Sequence, residues 1–122
     1  MGWDEHNRRR AAIKAVLAYA AQNPTAGLPY EALPAAHEAF KDRRDLVLAL
    51  QYDWSQALWA RIELLSLDNS RESAGLADAR YLAQRAWADC TARHPVLRRL
   101  LDDYRDELGP ALLREQDCVR YA

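Results

Sequence analysis

The chain has 122 residues, half of them hydrophobic and 29% charged, a size and balance that fit one globular core and exclude a chain disordered throughout. Its formal net charge of −1 gives no global attraction to nucleic acid or to an anionic membrane, so either partner would need a local patch. No run reaches the ~18 apolar residues of a membrane span, and the opening Met1–His6 lacks the basic and apolar regions of a secretory leader, so a cytoplasmic location is expected.

Four Gly and five Pro fall mainly between long stretches rich in Ala, Leu, Arg and Glu, which are strong helix formers. Val and Ile are scarce and strict polar/apolar alternation is missing, which removes the usual strand signals. These features predict an all-α fold, a compact single-domain bundle over 1–122 with four main helices and two short ones. No repeat or internal linker suggests a domain boundary.

The first helix is expected from Asp4 to Gln22, with Ile13, Val16, Leu17 and Ala20 on one face and Asn23-Pro24 ending it. Gly27, Pro29 and Pro34 mark an ordered crossing, which Leu28, Tyr30 and Leu33 pin to the core. Pro34 suits the first position of a brief second helix, and Asp42 with Asp45 reads as a cap followed by an acidic first-turn residue. No Gly or Pro between them forbids one continuous helix from Pro34 to Leu67.

The stretch Leu46–Leu67 is apolar around most of its circumference, which predicts a central helix, about 43–68, enclosed by its neighbours. A polar connection over 68–75 follows, then a helix with Leu76, Ala79, Ala83, Ala86, Trp87 and Cys90 on one stripe. His94-Pro95 stops that helix and starts another carrying Leu97, Leu100, Leu101, Tyr104 and Leu108. Gly109-Pro110 then introduces a last short helix over 111–119.

Catalytic constellations are sparse. His6, His37 and His94 lie on three different elements, and none has a carboxylate at the Glu-x-x-His spacing of bundle metal sites. Cys90 and His94 share helical spacing, yet a helix C-terminus opposes a thiolate, so a buried thiol is expected. Two cysteines are too few for a disulfide scaffold, and there is neither a phosphate-binding glycine loop nor a nucleophile elbow. No catalytic residue, metal or cofactor is assigned.

Asp103 and Asp106, beside Asp102 and Glu107, could face one cation in the manner of all-α metal-dependent phosphohydrolases. Their interleaving with Arg98, Arg99 and Arg105 reads instead as a solvated face of mixed charge. The run Arg8-Arg9-Arg10 with Lys14 one turn on could meet a phosphate backbone. Together with Phe40-Lys41-Asp42-Arg43-Arg44-Asp45-Leu46, that basic first helix locally resembles TetR-type regulators, which implies a DNA-binding regulator as an alternative function. The interval Asn23–Phe40 is too short and proline-rich for the two-helix reading head of that family.

Four Trp and six Tyr are more aromatic area than so small a bundle needs. Trp54 and Trp59 lie five residues apart, about 140° around a helix, so one neighbour cannot cover both. Aromatic anchors are enriched at protein interfaces, which makes Trp54, Trp59, Ile62 and Trp87 the interface candidates. The expected function is therefore non-enzymatic association with a protein partner or a second copy, without a membrane partner.

Overall fold

A computed structural model describes residues 2–68, 76–107 and 109, with the side chains of 68 and 76–78 set aside. The described elements are α1 (Gly2–Gln22), α2 (Pro34–Ala39), α3 (Arg43–Asp68), α4 (Leu76–Arg93) and α5 (Pro95–Asp103), followed by a 3-10 turn at Arg105–Glu107. The fold is an all-α helix bundle, with no strand among the described residues. The connection 69–75, Leu108 and the helix expected over 111–119 lie outside them.

Local chemistry sets the helix boundaries. Pro34 opens α2, and Phe40 leaves the helix in extended geometry, its N–H donating to Ala36 O at 2.9 Å. That break resolves the expectation left open over 34–67 into two helices. Asp42 then caps α3, its Oδ1 accepting from the Asp45 N–H at 2.7 Å, while Asp45 Oδ2 accepts from the Lys41 N–H at 3.3 Å. The first bond satisfies a donor that a helix start leaves unpaired, the second ties the approaching chain to the first turn, and both carboxylates sit at the positive end of the helix. His94-Pro95 separates α4 from α5, with His94 held out of helical geometry at φ −130° and ψ 58° by the proline that follows it.

The core is continuous and apolar. It joins Ala12, Ile13, Val16 and Ala20 of α1 to Leu46, Val47, Leu50, Trp54, Leu58 and Leu65 of α3, and both sets to Ala86, Cys90, Leu97, Leu100 and Leu101. α1 packs on α2 and α5, and α3 packs on α4 and α5, so α5 ties the two halves together. Arg99 adds a polar tie by donating from Nη2 to Ala20 O at 2.9 Å, where the last turn of α1 leaves carbonyls unpaired and carries negative dipole.

The crossing after α1 is pinned from both sides. Leu28 is buried, its N–H donates to the Tyr104 hydroxyl, and Tyr30 donates its own hydroxyl to Phe40 O at 2.7 Å. Gly27 serves close approach here, since a Cβ at that position would stand 2.7 Å from Tyr104 Oη. No described glycine has a positive φ, so conformational freedom is not what this turn requires.

Candidate functional site

The apolar circumference of α3 does not translate into burial on all sides. Leu46, Val47, Leu50, Trp54, Leu58 and Leu65 point into the core, whereas Tyr52, Trp59, Leu64 and Leu67 are exposed. Neighbours therefore cover one side of α3, which corrects the expectation of a helix enclosed throughout. Residues 52, 59 and 67 share the outer side at i, i+7 and i+15, interleaved with the exposed Gln56, Ala60 and Glu63.

α1 crosses the first half of this helix. Arg10 Nη1 lies 2.7 Å from both carboxylate oxygens of Asp53, Arg9 reaches Asp45 at 3.9 Å, and the Arg9 guanidinium sits 4.6 Å from the Phe40 ring centroid. A shallow cleft between the two helices is lined by His6, Arg9, Arg10, Tyr52 and Asp53. Trp3 is exposed at the tip of α1 and stacks on His6 at 6.3 Å, so exposed aromatic surface continues from that tip through the cleft to Tyr52 and Trp59.

The four interface candidates separate sharply. Trp59 is 48% exposed, while Trp54 is 1% exposed and belongs to the interior, which corrects its assignment to a partner surface. Ile62 and Trp87 are half-buried against the core, and the Trp87 ring meets Trp54 edge to face at 5.0 Å. Tyr52, Leu64 and Leu67 join Trp59 on the outside. Hydrophobicity alone did not separate them from the core, because a helix apolar on most sides has no readable phase.

The basic run is partly occupied by its own protein. Arg9 and Arg10 engage Phe40, Asp45 and Asp53 as above, while Arg8 and Lys14 are exposed. The acidic residues after α5 also divide: Asp102 pairs with Arg98 Nη2 at 3.0 Å, and Asp103 and Asp106 are exposed. Among the described residues no group of three or more His, Cys, Asp or Glu could hold a metal ion. Among the described helices none is long and apolar enough to cross a membrane.

Arg98 departs from the solvated face expected for the mixed charges of 98–107. It is 4% exposed, with its guanidinium 4.6 Å from the Trp54 ring centroid and 4.8 Å from that of Trp87. A guanidinium sheds water more readily than an ammonium and stacks on indole faces, so two tryptophans and one carboxylate offset its burial. In the sequence, Arg98 stands beside the apolar stripe of α5, a position that does not by itself distinguish a buried cation from a solvated one.

Cys90 is buried and its Sγ lies 3.6 Å from Ala57 O. Burial raises the thiol above its ordinary value, with the Arg61 charge pulling the other way. The His94 side chain is exposed, and its backbone N–H donates to Cys90 O at 2.8 Å. Cys118 lies outside the described residues.

No protein-family model, curated protein or solved structure matches this chain.

Proposed function

We propose that the chain is a non-enzymatic helical association module that covers the outer face of α3 with another protein's helix or with a second copy of itself. The observation that supports this reading is the row Tyr52, Trp59 and Leu67, exposed along one side of α3, with Leu64 exposed on the adjoining flank. Large aromatic and aliphatic side chains presented together on a monomer are the usual anchors of a protein interface. The aromatic continuation through His6 and Trp3 extends the same surface onto α1.

Binding of duplex DNA by Arg8, Arg9, Arg10 and Lys14 and metal-dependent phosphate chemistry at Asp103 and Asp106 are supported less. Two of the four basic side chains already face carboxylates of α3, and the two aspartates point to solvent.

Light scattering after size exclusion tests the association reading on the wild type and on a Tyr52→Ser, Trp59→Ser, Leu67→Ser triple variant. The wild type is expected in complexes and the variant as a monomer with an unchanged far-UV spectrum. Complexes that survive the triple substitution would refute it.

A further inference from the structure

We infer that the groove where the start of α5 meets α1 binds a small amphipathic carboxylate, an organic acid with a short hydrocarbon tail. The site is separate from the outer face of α3, and the inference does not rest on the association reading. The break at His94-Pro95 brings the last residue of α4, Arg93, and the first turn of α5 beside Leu17 and Ala18 of α1. Together they line a groove of about 310 Å³, to which Pro95, Val96 and Leu97 contribute apolar surface and Arg93 and His94 the polar part. That volume belongs with the smaller sites for small molecules.

The two stretches of chain that meet here carry no acid. No Asp or Glu occurs from Ala11 to Tyr30 or from Cys90 to Leu101, although the whole chain has 18 acids against 17 bases. The same stretches hold Lys14, Arg93, Arg98 and Arg99. Arg98 is buried beside Asp102, and Arg99 is engaged by Ala20 O. Arg93 and Lys14 are exposed, and neither pairs with a carboxylate among the described residues. Lys14 stands one turn before Leu17 and Ala18 on the same side of α1. The cleft between α1 and α3 differs in this respect, because its two arginines already face Asp45 and Asp53.

Negative charge is therefore what the groove at α5 lacks. A guanidinium presents paired N–H donors that match the two oxygens of a carboxylate. An inorganic anion would leave Leu17, Val96 and Leu97 as wet as before, whereas a hydrocarbon tail takes their exposed parts out of water. A protein partner would call for ~800 Å² on each side, far more than a groove of this volume offers.

Chemical-shift titration of the isotope-labelled full chain with sodium octanoate, below its micelle concentration, tests this. Saturable shifts are expected at residues 17–18 and 93–97, with a Kd of about a millimolar. Hexanoate and butanoate should bind about two- to fourfold more weakly for each methylene removed. Hexan-1-ol, which keeps the tail and drops the charge, should bind more weakly than hexanoate. Arg93→Gln should weaken octanoate about fivefold, and Ala18→Phe, which fills the groove from an exposed position, should abolish binding with an unchanged far-UV spectrum. Shifts that never saturate, or that fall on Tyr52, Trp59 and Leu67 instead, overturn the site. Octanoate binding indifferent to both substitutions overturns it too. Hexan-1-ol as tight as hexanoate, or inorganic phosphate saturating the same residues as tightly as octanoate, overturns the ligand class.

Discussion

The buried Arg98 and its two tryptophans supply the most quantitative prediction. The guanidinium lies within 5 Å of both ring centroids at 4% exposure, so each cation–π contact belongs at the desolvated end of the range, about 2 kcal/mol. Asp102 is one-third exposed, so solvent screens its ion pair to about 1 kcal/mol or less. Trp54→Leu keeps an apolar core residue but removes one ring from the cation, together with packing surface. We expect a loss of about 3 kcal/mol, and about 4 °C of Tm per kcal/mol in a domain of this size. Arg98→Met removes the charge at similar length, and the relief of desolvation offsets most of what its contacts contribute. The double variant should therefore be less unstable than the sum of the singles, with a coupling of about 1–2 kcal/mol. Urea unfolding followed by far-UV circular dichroism, which does not depend on tryptophan emission, measures all four corners of the cycle. Additivity within about 0.3 kcal/mol would show that the ring and the cation do not stabilise one another, and the account of how this arginine is buried would fail.

Three further outcomes follow from the packing. Gly27→Ala places a methyl group against Tyr104 Oη and should cost about 1–3 kcal/mol; the cost should shrink in a Tyr104→Phe background, and an equal cost in both would exclude that collision as its cause. Asp42→Ala removes the cap of α3 and should lower stability by about 1 kcal/mol in thermal unfolding, whereas Asp42→Asn should retain most of it. Cys90 holds its proton in the folded state past the pH at which the unfolded chain releases it, because burial raises the thiol. Its contribution to stability is thus complete below the ordinary thiol value of about 8.5 and declines as pH rises through the folded value. Urea titrations at neutral and alkaline pH should show that decline in the wild type and less of it in Cys90→Ala, and identical pH dependence in the two would refute the assignment.

The helix boundaries were legible because local chemistry writes them. Pro34, the Asp42 and Asp45 pair and His94-Pro95 each act within a few residues, and each marks a boundary of the structure. The phase of α3 was not legible. Apolar residues on most of its circumference allow several inward faces, and only packing of α4 and α5 on one side selects Trp54 for the core and Trp59 for the surface. Arg98 was misread for a related reason: a charge beside an apolar stripe reads as solvent-facing unless aromatic faces arrive from elsewhere, and Trp54 and Trp87 arrive from two other helices. The candidate surface was visible in the sequence as an aromatic excess, whereas its membership needed the fold.

The same asymmetry accounts for where that surface lies. α1 reaches α3 at Asp45 and Asp53, and its Arg9 and Arg10 hold it there, so the first half of the outer side is partly roofed by charged and aromatic groups. α4 and α5 pack on α3, and past Asp53 its Arg61 pairs with Asp89 at 2.9 Å. Trp59, Leu64 and Leu67 follow on the outer side, with Leu67 71% exposed. The parts of these side chains left in water add nothing to the stability of the monomer, whereas burying them against a partner would gain roughly 25 cal/mol for each Å² removed from water. The bundle is already closed by α5 without them, which separates the residues that hold the fold, led by Trp54, from those available to bind, led by Trp59.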